Sequence, residues 1–358
     1  MSYDPFARGP LPVGVRTGAI ADPERGRELA IEFWYPCREE HAGQDLAAES
    51  QDRYRILGGS PQVSQEAVRD GAPGDGRYPL VIFSHGYGGH RRQTTHLCTH
   101  LASHGYAVAA VDHAGSALED VMRLATSLRS AHTLPEPGEL LGSAIRDRPA
   151  DVRLAIDRIL GGALGRPAVD PDRIGVSGHS FGGWTTLMAA GSDPRVRAAL
   201  PLAPAGGASP LPVAPIADAL DLDWDREVPT LYLVAEHDSL LPLEGMHELR
   251  RRTRGLARMA VLKNADHMHF CDRVEETHEF FRLLAGMAPP AAELGGLGAS
   301  IRPASEHCPG SHAYAFLRGL GLAHLDAALK QSAAAAELLE GDLVAALAAR
   351  GVEIEVFP

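Results

Sequence analysis

The sequence predicts an α/β fold in which a mostly parallel central sheet carries helices on both faces. From Tyr78 onward, short continuous apolar runs alternate with segments of helical periodicity. Such runs are typical of parallel strands that are buried on both sides, which requires helices above and below the sheet. The chain has 358 residues, of which 45% are hydrophobic and 22% charged. That length and composition suit one large domain with a substantial core.

The first part of the chain is predicted to form strands and turns. The runs PVGVRTGAI (12–20) and ELAIEFWYP (28–36) are rich in strand-forming residues, and the turn-type segment DPERGR separates them. Residues 37–77 are polar and contain the clusters GGSP and GAPGDG. We interpret 37–77 as an irregular insertion at the surface.

The alternating part of the chain predicts six strands and the helices between them. The long connection 113–146 contains LPEPG and is expected to be irregular in part. Pro149 stands near the start of one helical segment, where proline is tolerated. The predicted strands cover 80–84, 106–112, 173–177, 196–203, 229–235 and 257–264, and the predicted helices cover 91–104, 151–160, 181–191, 243–253 and 273–286.

This pattern predicts one catalytic domain over residues 1–286, with 204–228 as a candidate lid. Residues 287–310 are rich in Gly, Pro and Ala and are interpreted as a linker. Residues 311–358 are predicted to form a C-terminal helical extension that packs on the catalytic domain. Contact between two copies of the chain in a homodimer is the alternative use of its Ala- and Leu-rich helices.

Charge and cysteine usage exclude several classes of function. Lys and Arg total 34 against 46 Asp and Glu, a net charge of −12, whereas a nucleic-acid binder is expected to carry a basic surface. The N-terminus has no apolar core of a signal peptide, and no apolar run is long enough to span a membrane. The four cysteines lack metal-ligand spacing. We therefore expect a cytoplasmic protein with free thiols.

The stretch DRIGVSGHSFGGWTTLMAA (172–190) carries the strongest chemical signal in the chain. It contains G-x-S-x-G between an apolar strand and a helix, the pattern of a nucleophile elbow. Gly178 and Gly182 flank Ser180 because the strand and the helix approach closely at such a turn. The following helix N-terminus favours developing negative charge. Ser180 is therefore the predicted nucleophile.

A serine hydroxyl needs a base, and the base needs an acid that orients it. In elbow enzymes the chain order is serine, acid, histidine. PTLYLVAEHDSLLP supplies Asp238 after one late strand, with Glu236 as the alternative. MAVLKNADHMHFCD supplies His267 after the last strand, with His269 as the alternative. Asp266 is a weaker candidate for the acid, because adjacent loop side chains rarely face each other.

Two backbone amides are expected to hold the developing oxyanion. One is the amide of Phe181, directly after the nucleophile. The other is the amide of Tyr87 in VIFSHGYGGH (81–90), where several glycines let the chain turn near a substrate. The alternative for the second segment is a glycine turn that only reverses the chain.

Three side chains near the serine are candidates for a substrate pocket. His179 precedes the nucleophile and Trp184 lies one turn into the elbow helix, so packing in the core is the alternative role for both. Trp224 lies before the strand of the acid and is a candidate for an acyl or alcohol pocket, with a surface position as the alternative.

His96, His100 and His104 recur every four residues, which places them on one face of a helix. A metal site would need further ligands from another segment. We therefore favour a histidine stripe between elements and predict neither a metal nor another cofactor.

The segments FSHGYGG, LASHGYAVAAVDH, DRIGVSGHSFGG and HMHFCD together resemble the platelet-activating-factor acetylhydrolase and dienelactone-hydrolase-like branch of the α/β-hydrolase superfamily. The resemblance is clearest over residues 78–286. It implies the α/β-hydrolase fold, the same three catalytic residues and the same two amide donors. Dienelactone hydrolases use a cysteine nucleophile, so their activity is not implied.

The expected function is that of a serine carboxylic-ester hydrolase that forms an acyl-enzyme on small or lipid-like esters. Polyester hydrolysis of the cutinase type is the first alternative. Acyl transfer or amide hydrolysis by the same triad is the second. A ligand-binding protein on a hydrolase scaffold is the alternative that involves no catalysis.

Overall fold

The computed structural model describes residues 3–128, 137–165, 167–209, 214–287 and 300–358. The strands in chain order are β1 (Val13–Asp22), β2 (Arg27–Pro36), β3 (Asp52–Arg55), β4 (Gln62–Gln65), β5 (Val68–Arg69), β6 (Arg77–Ser84), β7 (Ala107–Val111), β8 (Ala168–His179), β9 (Val196–Leu202), β10 (Thr230–Ala235), β11 (Ala257–Leu262) and β12 (Ile354–Phe357). The helices are α1 (Thr95–Ser103), α2 (Leu118–Leu128), α3 (Pro137–Leu160), α4 (Phe181–Ser192), α5 (Ala214–Asp218), α6 (Leu243–Arg252), α7 (Val274–Met287), α8 (Gly310–Leu329), α9 (Ala333–Glu340) and α10 (Leu343–Ala348).

In the described residues, ten strands form one sheet in the order β12-β11-β10-β9-β8-β6-β7-β2-β1-β5. The six central strands, from β11 to β7, run parallel. Antiparallel strands flank the parallel part of the sheet, with β12 beside β11 on one side and β2 and β1 beyond β7 on the other. The prediction of a mostly parallel sheet is therefore confirmed. Parallel strands end at the same edge of the sheet, so the loops after β6, β8, β10 and β11 lie along one edge.

Each face of the sheet has its own apolar core, as expected for strands buried on both sides. One core joins alternate strand residues to α3, α4 and α6. The other core joins the remaining strand residues to α1, α7 and α8. Phe316, Leu317 and Leu320 of α8 are fully buried in this second core. The C-terminal segment thus contributes both a covering helix and the strand β12.

The division into domain, linker and extension stays a prediction, and residues 288–299 of the predicted linker lie outside the described residues.

The insertion 37–77 is more regular than the predicted irregular surface segment. Strands β3 and β4 pair as a hairpin, and β5 joins the main sheet beside β1. The sequence of the hairpin, DRYR and QVSQ, is mostly polar and carries no apolar alternation. Polar contacts hold the strands instead, because Gln65 donates to Asp52 at 2.7 Å and accepts from Trp34 Nε1 at 2.7 Å.

The connection 113–146 is also more helical than predicted, since α2 and the first turns of α3 lie within it. Helix α3 continues through Pro149 instead of beginning near it. A proline inside a helix costs one backbone hydrogen bond, and here Arg148 and Asp151 on either side of it are anchored in the interior. Residues 129–136 of this connection and 210–213 of the candidate lid lie outside the described residues.

Among the helices of the described residues, none combines the length and the apolar character that a membrane span requires.

The three histidines of α1 and its C-terminal cap do not converge on a metal site. His100 and His104 each donate to a backbone carbonyl of the N-terminal segment, those of Pro5 and Ala7, at 2.9 Å. His96 stacks on Tyr314 with ring centroids 4.0 Å apart.

Replacing His96 with phenylalanine is expected to make stability less sensitive to acid. Both ring nitrogens of His96 are buried without a hydrogen-bond partner. Burial, followed by the charge of Arg318, holds the pKa of His96 well below 6.5. The folded protein keeps this ring neutral, while the unfolded chain takes up a proton below about pH 6.5, so stability is lost as the pH falls through that value.

Urea unfolding measures this effect directly. When the pH is lowered from about 7.5 to about 5, the free energy of unfolding should fall by up to about 2 kcal/mol less in the variant than in wild type. Replacing the partly exposed His312 with phenylalanine is the matched control for the exchange of a histidine for an aromatic ring. An equal acid dependence in wild type and the His96 variant would contradict the expectation.

Candidate active site

Ser180 lies in a strained turn between β8 and α4. Its backbone has φ 59° and ψ −118°, a conformation that residues other than glycine rarely adopt. Hydrogen bonds to the next strand and its loop fix the turn, because the Ser180 N–H donates to Leu202 O at 2.9 Å and Ala205 N–H donates to Ser180 O at 3.0 Å. The strand-to-helix turn predicted from G-x-S-x-G is present.

The glycines beside Ser180 leave no room for a side chain. A Cβ at Gly182 would lie 1.9 Å from the carbonyl oxygen of Ser84, and a Cβ at Gly178 would lie 2.4 Å from the carbonyl oxygen of Gly182. Both contacts are with backbone, which cannot move aside cheaply. The close approach of strand and helix is therefore the physical reason for the two glycines.

Asp238 and His267 form a buried hydrogen-bonded pair. His267 Nδ1–H donates to Asp238 Oδ2 at 2.7 Å, and the two side chains are 2% and 1% exposed. Asp238 Oδ1 accepts the amides of Leu240 and Leu241 at 2.9 and 2.7 Å, which fixes the carboxylate. Because Nδ1 carries the proton toward the carboxylate, Nε2 of His267 has a free electron pair and can act as a base.

Glu236 and His269, the alternatives to Asp238 and His267, form hydrogen bonds and ion pairs with other groups. Glu236 forms an ion pair with Lys263 and accepts the amide of Asn264 at 2.8 Å. His269 Nε2–H donates to the carbonyl of Cys308 at 3.0 Å, and its Nδ1 accepts the backbone N–H of Asp266 at 3.0 Å.

Asp266 joins the two loops that carry the pair. Its Oδ1 accepts the N–H of Ser239 at 2.7 Å and the N–H of His267 at 2.6 Å. It therefore acts on the backbone beside Asp238 and His267, and its carboxylate is not the partner of the imidazole.

The histidine loop packs directly on the elbow. His179, the residue before Ser180, donates from Nε2 to the carbonyl of His267 at 3.0 Å, and the two rings lie 4.5 Å apart between centroids. On the other side, a Cβ at Gly86 would lie 3.4 Å from Ser180 Cβ. The loops after β6 and β11 thus pack against the elbow, and Asp238 joins the loop after β10 to the histidine loop.

The loop after β6 forms a tight turn above the elbow. Gly89 N–H donates to Gly86 O at 3.0 Å, and Gly88 N–H donates to Ser116 O at 2.9 Å. In the described residues, the amides of Tyr87 and Phe181 take no part in the hydrogen bonds of turns and loops. Phe181 is also the first residue of α4, where amides have no acceptor within the helix. These two amides remain the predicted oxyanion donors.

Arg148 is a buried residue of the site that the sequence did not indicate. Its side chain is 0% exposed, and Nη1 donates to the carbonyl of His85 at 2.6 Å. The guanidinium lies 4.3 Å from the centroid of the Phe181 ring. Burial lowers the pKa of Arg148 to about 9, while the charge of Asp151 acts in the opposite direction. Arg148 therefore ties the loop of one predicted amide donor to the residue that carries the other.

Gln93 links three parts of the site through a buried chain of hydrogen bonds. Its Oε1 accepts the Gly86 N–H at 3.0 Å, and its Nε2 donates to His179 Nδ1 at 2.8 Å. Because His179 Nδ1 accepts, its Nε2 carries the proton that is donated to His267 O. Burial holds the pKa of His179 well below 6.5, so the ring stays neutral. Gln93 and His179 thus connect the loop after β6, the elbow and the histidine loop.

Replacing Gln93 with methionine is expected to lower kcat for ester hydrolysis about tenfold to hundredfold, since loss of catalytic positioning by ~1 Å has effects of that size. Methionine fills a similar volume but makes neither hydrogen bond. Steady-state kinetics and thermal unfolding of the same preparations measure the effect. Unchanged kcat in a folded variant would show that the chain of hydrogen bonds does not position the site.

A second Ser-His-Asp array lies inside the molecule. His113 Nε2 and Ser84 Oγ are 2.8 Å apart, and His113 Nδ1 and Asp151 Oδ2 are 2.9 Å apart. All three side chains are 0% exposed, so a substrate cannot reach this serine. Burial lowers the pKa of His113 well below 6.5. The array joins the ends of β6 and β7 to α3 and has a structural role.

The three predicted pocket residues are buried in the structure. Trp184 is 0% exposed, and its indole donates to the carbonyl of Ile216 at 2.9 Å. Trp224 is 2% exposed and packs against Gly191. His179 is 2% exposed and makes the hydrogen bonds described above. All three side chains lie in the interior beside α4 or the elbow, and their contact with a substrate stays a prediction.

A solved structure with the same overall fold is the ferulic acid esterase from Streptomyces cinnamoneus. The match has a TM-score of 0.59 and 25% sequence identity, and it covers 90% of this chain and 91% of that chain. The chain is an α/β-hydrolase. The predicted superfamily is thereby confirmed.

Sequence comparisons match parts of this α/β-hydrolase to several ester hydrolases. Residues 32–123 match the family model of platelet-activating factor acetylhydrolase, isoform II. Platelet-activating factor acetylhydrolase from Bos taurus is 32% identical over 154 residues, which cover 35% of each chain. The bis(hydroxyethyl) terephthalate hydrolase of Streptomyces coelicolor is 28% identical over 170 residues, 47% of this α/β-hydrolase and 43% of the relative. The chain thus spans less than half the length of these curated relatives.

Proposed function

We propose that this α/β-hydrolase is a serine carboxylic-ester hydrolase that acts through an acyl-enzyme. The observation that carries the proposal is the buried pair of His267 and Asp238, 2.7 Å apart, whose histidine loop packs on the strained turn of Ser180. A serine in a strained turn, together with an imidazole that a carboxylate orients, is the combination that activates a hydroxyl for acyl transfer.

The reaction has two halves. Ser180 Oγ attacks the ester carbonyl while His267 Nε2 takes the hydroxyl proton, and the carboxylate of Asp238 stabilises the imidazolium. The amides of Tyr87 and Phe181 hold the negative oxygen of the tetrahedral intermediate. When this collapses, the alcohol leaves with the proton from His267. Water then attacks the acyl group, gives its proton to the same nitrogen, and frees the acid and Ser180.

The relatives support an ester as the substrate class. Their names cover platelet-activating factor acetylhydrolases, a terephthalate hydrolase, cutinases and a ferulic acid esterase. The net charge of −12 also supports a small ester rather than a nucleic acid as the partner. We propose short acyl esters, including acetyl groups on lipid-like alcohols, as the substrates.

Polyester-type esters are the second candidate. The specific observation is the similarity to the terephthalate hydrolase and to Cutinase est1 of Thermobifida alba, which is 29% identical over 174 residues. Both candidates use the same catalytic residues and differ only in the groups on either side of the carbonyl.

Pre-steady-state release of p-nitrophenol from p-nitrophenyl acetate tests the proposal. We expect a burst close to one equivalent of enzyme, followed by slower turnover, because acylation and deacylation are separate steps. A chain-length series of p-nitrophenyl esters, an acetylated phospholipid, bis(hydroxyethyl) terephthalate and a feruloyl ester would then rank the two candidates. A folded preparation that hydrolyses none of these esters would overturn the proposal.

A further inference from the structure

Two histidines and an aspartate from three separate segments meet beneath the active-site loop. Asp266 precedes His267, His278 lies on α7, and His307 follows the 3₁₀ turn Ala304–Glu306. Asp266, His278 and His307 each offer one possible ligand atom, and these three atoms all lie within 4.8 Å of one another. The three residues are 2%, 1% and 7% exposed. Packing therefore places two imidazoles and a carboxylate around one point in the interior.

Two nitrogens of this cluster have no hydrogen-bond partner among the described residues. They are His278 Nδ1 and His307 Nε2, and both are buried. His307 Nε2 lies 3.8 Å from Asp266 Oδ2, which is too long for a hydrogen bond. Buried polar atoms nearly always have a partner, and a bound ion is one explanation for an exception.

The hydrogen bonds around the cluster favour a metal ligand at His278. Its Nε2–H donates to the carbonyl of Arg302 at 2.7 Å, so the free electron pair is on the unpartnered Nδ1. Histidines that bind metals usually donate their other N–H to a carbonyl or carboxylate in this way. The neighbouring His269 offers no ligand atom, since its two ring nitrogens are engaged with Asp266 and Cys308.

The carboxylate of Asp266 is held rigidly in place. Its Oδ1 accepts the amides of Ser239 and His267, and its Oδ2 faces His307. A cation at the cluster would therefore be joined through one carboxylate to the backbone of both catalytic loops.

We propose that Asp266, His278 and His307 bind one Zn²⁺ ion that fixes α7 and the C-terminal segment to the loop of His267. Two neutral imidazoles and one carboxylate are a common set of protein ligands for Zn²⁺, with water as the fourth ligand. Ca²⁺ and Mg²⁺ prefer sets composed of oxygen atoms, which this cluster does not offer. The ion has a structural role, because its ligands are buried and Asp266 acts on the backbone of the catalytic loops.

Arg302 is expected to weaken binding of the ion, because it holds His307 in the other tautomer. A substitution at Arg302 therefore tests the proposal a second time. Its Nη2 donates to His307 Nδ1 at 3.1 Å and to Asn264 Oδ1 at 3.2 Å. Binding through His307 Nε2 moves the ring proton to Nδ1, so the guanidinium must release that nitrogen. Replacing Arg302 with methionine removes the competing donor and a positive charge while keeping the carbonyl that holds His278.

The experiment measures binding of the metal alone to full-length protein without an affinity tag. Protein stripped with a chelator is titrated with Zn²⁺ by calorimetry and with Co²⁺ by visible absorption, and thermal unfolding is recorded with and without Zn²⁺. We expect one equivalent of Zn²⁺, the strong absorption of four-coordinate Co²⁺ and a higher unfolding temperature. Arg302→Met should bind Zn²⁺ about tenfold more tightly, and His278→Phe should lose the site.

His312→Gln is the matched control, since this histidine is partly exposed and outside the cluster. It should retain one equivalent of Zn²⁺. Wild-type protein that takes up no Zn²⁺ would overturn the proposal and indicate hydration of the cluster by water. Unchanged binding in a folded His278→Phe variant, or weaker binding in Arg302→Met, would also overturn it. None of these readouts depends on ester hydrolysis, so the result is independent of the proposed function.

Discussion

Replacing Ser180 with alanine is expected to lower kcat for ester hydrolysis by roughly 10⁴-fold or more, as removal of the nucleophile does in other serine hydrolases. The amides of Tyr87 and Phe181 cannot compensate, because without the hydroxyl no acyl-enzyme forms. Alanine has the same Cβ as serine, so the strained turn at φ 59° is neither relieved nor worsened. The folded structure should therefore be retained, which circular dichroism and thermal unfolding check.

The buried array supplies the matched control for this variant. Ser84→Ala removes a serine that also contacts a histidine, but its side chain is 0% exposed. We expect Ser84→Ala to lower the free energy of unfolding by about 1 kcal/mol, a typical value for one lost hydrogen bond, and to keep most of the activity. Wild-type turnover in Ser180→Ala would contradict the assignment of the nucleophile.

His267→Ala is expected to lower kcat by roughly 10⁴-fold or more as well, because base and nucleophile act as a unit. The variant leaves Asp238 without the imidazole that it orients, and Ser180 without a base. Added imidazole should restore part of the activity, since a small base can enter the space that the side chain leaves. Initial rates with and without imidazole at constant pH measure this rescue.

His269→Ala separates a catalytic histidine from a structural one. Its hydrogen bonds with Asp266 and Cys308 hold the loop, so we expect a lower unfolding temperature and a loss of activity within about tenfold, without imidazole rescue. If His269→Ala were the inactive variant and His267→Ala kept wild-type turnover, the assignment of the base would be wrong.

The sequence was most informative where function depends on chain order. Asp238 and His267 each follow a strand, and parallel strands bring such loops to one edge of a sheet. A residue type after a particular strand is therefore enough to identify a candidate. The elbow glycines are equally local, because Gly178 and Gly182 respond to a close backbone contact within the motif itself.

Residues whose role depends on distant packing were not predictable in this way. Arg148 appears in the sequence as an ordinary charged residue before Pro149, yet it lies in the interior against His85 and Phe181. Gln93 likewise acts through partners far along the chain. The aromatic residue Trp224 could be assigned to a pocket or a surface from its neighbours in sequence, but the structure places it in the core.

The hydrogen-bonded hairpin of β3 and β4 shows the same limit for secondary structure. Its polar residues carry no periodic apolar signal, and the two strands are held by their mutual pairing and by the hydrogen bond from Trp34 to Gln65. Helix α3 passes through Pro149 because buried side chains hold the turns around it. In both cases tertiary contacts outweigh local preference.

Labelling with an organophosphate ester is the most direct test of the central claim that Ser180 is the activated nucleophile. Diethyl p-nitrophenyl phosphate should add one diethyl phosphoryl group per chain, release one equivalent of p-nitrophenol and abolish ester hydrolysis. Peptide mapping by mass spectrometry should place the group on Ser180, and His267→Ala should react far more slowly. A group found on another residue, or loss of activity with Ser180 unmodified, would contradict the claim.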